Sequence, residues 1–217
     1  MITTLFLDFD GVILDSVEAK TEAFYSMYLP YGEEFARRVR DFHCANGGVS
    51  RFEKFKIWHE EWLRESLSEQ RMAELSETFS TLSLQKVIES PFVPGALEFL
   101  QMAHERHKVY VITGSAQEDI DHTVRQLDLE KYFVQVCGSP RTKIDWGQQL
   151  LREHQVSPKE VVFVGDAESD RKAAEALGIH FILRATELNS DWSHACTHVI
   201  RDLTELNERI NIIDQDL

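Results

Sequence analysis

The sequence has little with which to cross-link itself. Its three cysteines, Cys44, Cys137 and Cys196, are scattered and odd in number. No C-x-x-C pair is present, which argues against a disulfide framework, a structural zinc site and a dithiol redox centre. They are expected to be reduced thiols of a cytoplasmic protein, without a catalytic role. Long apolar runs are missing as well: none approaches the roughly 20 residues that span a bilayer. The opening Met1-Ile2-Thr3-Thr4 carries no basic start or cleavage site, so export is not expected. Positive charge is scarce. Against 37 Asp and Glu stand 23 Lys and Arg, a formal net charge of −14, and such a surface repels nucleic acid and anionic membranes. Neither is expected as a partner. An anionic small molecule is admitted only where a bound cation or a few placed Lys and Arg reverse the field locally.

What is present suits a soluble globular chain of 217 residues, 43% of them hydrophobic. That length accommodates a core domain plus a small accessory one, and it can bury a core without staples. Five short apolar runs read as buried parallel strands: Thr4–Phe9, Lys108–Thr113, Tyr132–Cys137, Val161–Gly165 and His180–Arg184. From the second onward they alternate with helical patterns such as Ala96–Glu105 and Ala116–Leu127. Ser115-Ala116-Gln117-Glu118 reads as a capping box opening the latter, and Gly178 as the C′ glycine closing a third helix. This alternation predicts a doubly wound α/β core made of residues 1–15 and 91–217.

Between the first and second runs the alternation fails. Residues 16–90 show helical periodicity and no convincing strand, as expected of an inserted all-helical cap, with Pro91 and Pro94 marking the return. One helix, Glu33–Ala45, stops at Asn46-Gly47-Gly48, and Ser50-Arg51-Phe52-Glu53 is a capping box opening the next. Met72, Leu75, Phe79 and Leu82 mark a further helix. Phe52, Phe55, Trp58 and Trp62 are expected in the cap's core, His43 as an interior or solvated side chain, and the tail after Arg201 as a short terminal helix.

The chemistry-bearing residues follow the strands. Asp8 and Asp10, in Asp8-Phe9-Asp10-Gly11-Val12, end the first one. Ligands gather at the carboxyl ends of strands in open α/β sheets, and alternation places the two carboxylates on one side. They repel each other unless a cation or a shared proton intervenes. Thr113-Gly114-Ser115 ends the second strand, offering a hydroxyl and backbone N–H groups as a phosphate cradle. Lys143 follows the third, and Asp166 with Asp170 follow the fourth, an acidic group suited to the hard cation Mg²⁺. Glu168 there is read as a helix-start carboxylate opposing the macrodipole.

D-x-D, hydroxyl, lysine and acidic pair, in this order, resemble the four motifs of the haloacid dehalogenase superfamily, and D-F-D-G-V-[IL]-x-D-S is specific to it. The phosphoglycolate phosphatase and β-phosphoglucomutase group is nearest in pattern, although Ile144 stands where proline commonly follows the motif lysine. The resemblance implies a Rossmann-like core with an inserted C1 cap and a Mg²⁺-dependent phosphatase of a small phosphorylated metabolite, a sugar phosphate or small acid. It implies Asp8 as nucleophile, Asp10 as general acid/base, Thr113 and Lys143 on the transferring phosphoryl group, and Gly114 and Ser115 in contact with substrate. Asp8, Asp10, Asp166 and Asp170 would hold the metal, Asp10 through its backbone carbonyl. Gly48-Val49-Ser50-Arg51 resembles a cap segment of β-phosphoglucomutase that carries a substrate-contacting arginine, which implies Arg51 on the substrate; Lys54, near the same helix start, is expected to help hold an anionic group there. A phosphomutase is the alternative, a non-catalytic binding protein a further one. The chain is expected as a monomer or homodimer.

Overall fold

The computed structural model describes residues 1–216. Among them, six parallel strands form one sheet in the order β3-β2-β1-β4-β5-β6. These are β1 (Thr4–Leu7), β2 (Lys108–Ala116), β3 (Gln135–Ser139), β4 (Val161–Gly165), β5 (His180–Arg184) and β6 (Val199–Ile200). The order reverses between β1 and β4, which are registered Leu7 to Val164. The crevice at that reversal is where an open α/β sheet presents its ligand site.

Side chains of the central strands alternate between two apolar layers, as the pleat requires. Leu5, Leu7, Val109, Val111, Val162 and Val164 face one layer, which α5 (Ala96–Ala103), α6 (Gln117–Gln126) and α9 (Leu206–Gln215) complete. Phe6, Tyr110, Ile112, Val161 and Phe163 face the other, closed by α7 (Lys143–Glu153) and α8 (Glu168–Leu177). Both faces of each strand are thereby buried, which is why the strands read as continuous apolar runs.

Between β1 and β2 the chain forms α1 (Val17–Tyr28), α2 (Glu33–Ala45), α3 (Arg51–Lys56) and α4 (Glu69–Ile88). A wide, π-type turn at Ile57–Leu63 prolongs α3. This helical block has its own apolar cluster around Phe24, Tyr28, Phe55, Trp58 and Phe79. Trp62 packs at its margin, whereas Phe52 is half-buried and lies outside the cluster, contrary to its expected place in that core. Ser50 caps α3 as read, its Oγ accepting from Glu53 N at 3.4 Å. Leu14 bridges Phe92 where the chain re-enters the core.

Three further sequence expectations are corrected. Tyr132 belongs to a 3₁₀ turn, Glu130–Tyr132, and the third strand begins later, at Gln135. Ser115 does not cap α6: β2 runs through it to Ala116, and its hydroxyl is drawn to Asp10 instead. The first strand ends at Leu7, although Asp8 N still donates to Val164 O at 2.9 Å. The short β6 had no sequence signal of its own.

Candidate active site

Beyond Leu7 the chain folds into a tight loop in which Gly11, at φ +77°, donates to Leu14 O at 2.7 Å. A Cβ at Gly11 would lie 2.2 Å from Asp166 Oδ2, so only glycine lets these two loops approach. Phe9 is fully buried in the core, which fixes the loop and leaves Asp8 and Asp10 at the cleft. From the sheet the cleft is lined by Asp8, Asp10, Thr113, Gly114, Ser115 and Asp166. Across from them the helical block supplies Lys20, Phe24, His43, Arg51, Lys54 and Phe79.

Asp8, 2% exposed, accepts at Oδ1 from Phe9 N at 2.7 Å and at Oδ2 from Lys143 Nζ at 2.8 Å. Lys143 opens α7, whose N-cap Thr142 accepts at Oγ1 from Asp145 N at 3.1 Å. Its ammonium also donates to Asp170 Oδ1 at 2.5 Å. Burial opposes that charge, yet the carboxylates of Asp170 and Asp8 outweigh burial and hold Lys143 above the usual lysine range. Asp170 is fully buried, and its second oxygen accepts from Ala167 N at 3.1 Å. Burial, with the nearby Asp8 charge, brings Asp170 up to about 7 despite Lys143.

Asp8, Asp166 and Asp170 each offer a carboxylate oxygen within 4.8 Å of the others. One ammonium does not balance three carboxylates. Burial first, then the charges of Asp8 and Asp170, push Asp166 well above the ordinary carboxylate range. This excess negative charge in an all-oxygen donor set fits a hard divalent cation such as Mg²⁺.

Asp10 has separate surroundings. Its carboxylate accepts from Ser16 Oγ at 2.6 Å and Ser115 Oγ at 2.7 Å, and from Lys20 Nζ. Burial alone would raise its pKa, but the Lys20 charge and these three donors hold it below the usual range. Thr113 is buried at the cleft floor, its Oγ1 accepting from Ser115 N at 3.2 Å. Gly114 sits against the helical block, where a Cβ would meet Gly48 O at 2.3 Å.

The two basic residues read from the helical block part company. Arg51 is ion-paired with Asp119 of α6 and donates to Ser76 O at 3.1 Å and Ser80 Oγ at 2.7 Å, so its guanidinium is already engaged. Lys54 is 1% exposed and meets His43 Nδ1 at 2.8 Å. Glu168 pairs with Arg171 in the first turn of α8, as a solvated helix-start carboxylate does. Cys44, Cys137 and Cys196 are unbridged. Burial pushes the Cys137 thiol up to about 12, far from a reactive thiolate.

Sequence reasoning did not assign Lys20, Ser16 or Asp119. Ser16 and Lys20 lie one helical turn apart at the start of α1, so the serine and lysine just after D-G-V-I-L-D were a readable signal for one face aimed at Asp10. Asp119 had none, because its partner Arg51 lies 68 residues away. Among the described residues no helix is long and apolar enough to cross a membrane.

Comparisons with known proteins agree with this geometry. A phosphorylated carbohydrates phosphatase of Thermotoga maritima is 29% identical over 183 residues, 81% of this chain and 81% of the relative. A phosphoglycolate phosphatase of Vibrio parahaemolyticus is 27% identical over 191 residues, 82% of this chain and 81% of that one. Among solved structures, a β-phosphoglucomutase of Clostridium difficile superposes with a TM-score of 0.74 at 16% identity, covering 97% of this chain and 98% of that chain. The haloacid dehalogenase-like hydrolase profile matches residues 5–184, from the first strand through the fifth. With the sheet order, the carboxylate cluster and that match taken together, the chain belongs to the haloacid dehalogenase-like hydrolase family.

Proposed function

We propose that this hydrolase is a phosphatase of a small phosphorylated metabolite, acting through an aspartyl-phosphate on Asp8. The observation that carries the reading is Asp8 itself. It is a buried carboxylate with one oxygen fixed by Phe9 N and the other beside an ammonium, at the sheet's reversal point. The names of the Thermotoga and Vibrio relatives, both phosphatases, support the same reaction class.

In the first step an Asp8 oxygen forms a bond to phosphorus, the phosphorus–oxygen bond to the leaving group breaks, and Asp10 supplies the proton that oxygen needs. In the second, water attacks phosphorus, Asp10 takes its proton, and Asp8 leaves as a carboxylate. The lowered pKa of Asp10 favours this base half of the cycle. Lys143 steadies Asp8 and the phosphoryl oxygens, while Thr113, Gly114 and Ser115 cradle them. Mg²⁺ held by Asp8, Asp166 and the Asp10 carbonyl, with Asp170 in support, would supply charge neutralisation for a trianionic transferring group. The helical block, residues 16–90, acts as a cap that excludes water from the first step. The core is then residues 1–15 and 91–217.

Phosphate release from a panel of sugar phosphates and small phosphorylated acids, with Mg²⁺ added, tests the reading on wild type and Asp8→Asn. Release by wild type and a loss of at least about 10³-fold in the variant is expected, since removing a nucleophile abolishes its covalent route. Release that survives Asp8→Asn would remove the proposed nucleophile. An isomerised sugar phosphate without free phosphate would mark a mutase.

A further inference from the structure

Four lysine and arginine side chains stand at the cleft or beneath it, and three have carboxylate partners. Lys143 pairs with Asp8 and Asp170, Lys20 with Asp10, and Arg51 with Asp119. Lys54 is the exception. Its ammonium is buried against His43 Nδ1 and lies 5.8 Å from the centre of the Phe24 ring. Among the described residues it has no carboxylate within ion-pair distance. A buried charge without a counter-ion is strongly unfavourable, and an anion seated beside it would offset that cost.

The rest of the helical block's lining sharpens the point. It includes Val17, Phe24, Val49 and Phe79, and no side-chain hydroxyl or amide from the block reaches the cleft. Such a wall has little to offer the hydroxyls of a sugar ring, and one strong site for a negative charge.

We propose that the Lys54–His43 pair is a subsite for a second anionic group of the substrate, a carboxylate or a second phosphate, while Asp119 keeps Arg51 as a tie between cap and core. The substrate class is then a compact phosphomonoester with an acidic tail, and the assignment rests on the phosphatase reading above. The charges around Lys54 agree. Burial, followed by repulsion from Lys20 and, more weakly, Lys143, brings Lys54 down to about 7, with Cys44 and Asp10 acting in the opposite sense. His43 is held well below the ordinary histidine range by burial and by Lys54 itself. The pair therefore holds one proton at most near neutrality, and an anion seated there would secure it.

Two matched pairs test the subsite. Phosphoglycolate and ethyl phosphate differ by a carboxylate; propane-1,3-diyl bisphosphate and propyl phosphate differ by a phosphate. In wild type, kcat/KM for the member with the second anion is expected, in at least one pair, to exceed that of the member without it by about tenfold or more, the scale of one hydrogen bond to a charged group. Which pair shows it identifies the anion. Lys54→Met should collapse that ratio at least tenfold. Equal rates within both pairs overturn the proposal, as does a preference that survives Lys54→Met and disappears in Arg51→Met. Calorimetric titration of the same four compounds reads the preference from binding alone. Tighter binding of a member with the second anion, without turnover, would keep the subsite and remove the phosphatase reading. Turnover without any preference would remove only the subsite.

Discussion

Lys143 is the residue on which the buried charge of the site turns. Among the described residues it is the one ammonium touching Asp8 and Asp170, so its loss leaves two buried carboxylates facing each other. Breaking a buried pair from one side costs about 3–5 kcal/mol. Lys143→Met should therefore lower stability by that order at pH 8. The penalty should shrink as the pH falls, because without Lys143, which lowers it, Asp170 takes a proton above the value of about 7 that it has in wild type. Denaturant unfolding at pH 5.5 and pH 8 checks both size and direction, and an equal loss at the two pH values would contradict it. Lys54 gives the opposite case. Its folded value of about 7 lies below the ordinary 10.5. Between these values the unfolded chain binds a proton that the folded one does not, so this residue's contribution to stability rises with pH across that window. Below it both states are protonated and the folded state carries the full cost of the buried charge. Lys54→Met is thus expected to be more stable than wild type at pH 6, by a few kcal/mol on the order set by the shift, with the advantage fading toward pH 10. Thermal unfolding of both proteins over that range is the check.

At the scale of elements, the cleft depends on how closely the turn after α2 approaches the ends of β2 and β4. Gly48, at φ +69°, would carry a Cβ 2.1 Å from Ser169 Oγ, and one at Gly114 would strike the Gly48 carbonyl carbon at 2.9 Å as well as its oxygen. Ser169 Oγ donates to Gly47 O at 3.1 Å across the same seam. Gly114→Ala must push the turn outward, loosening the helical block over the proposed phosphoryl site. A fall in kcat/KM of about 10- to 100-fold is expected, the usual result of misplacement near 1 Å, with Tm little changed because the seam is not part of an apolar core. A Tm loss equal to that of a core cavity would show the damage to be global instead. Much of this architecture was legible beforehand because it is local. Continuous apolar runs gave the buried strands, and the helical period after the first run gave α1 to α4. The ordering of Asp8, Thr113, Lys143 and Asp166 along successive strands placed them at one end of the sheet. What could not be read depends on contacts between distant segments. The Arg51–Asp119 pair joins residues 68 apart. Ser115 was misread as a cap because its own four-residue window satisfied the capping pattern, whereas Asp10 and Lys20, from elsewhere in the chain, claim its hydroxyl.

Across the whole molecule, a chain of net charge −14 concentrates three carboxylates, two of them buried and Asp166 half-buried, at the cleft proposed to take a phosphorylated substrate. Lys143 compensates part of that charge, and burial first, then the remaining repulsion between carboxylates, raises Asp166 and Asp170. A divalent cation that binds the folded cluster, and not the unfolded chain, must then stabilise the whole fold. At 100 times its Kd such a ligand adds about 2.7 kcal/mol. For a chain of this size that amounts to roughly 5–10 °C in Tm. Thermal scans of wild type with Mg²⁺ or EDTA should show this rise, free of any assay of turnover. Asp166→Asn removes one carboxylate and with it much of the repulsion, so it should melt higher than wild type in EDTA and gain little from Mg²⁺. A variant that responds to Mg²⁺ as strongly as wild type would place the cation elsewhere. A wild type indifferent to Mg²⁺ would mean that Lys143 alone suffices to hold the carboxylates together.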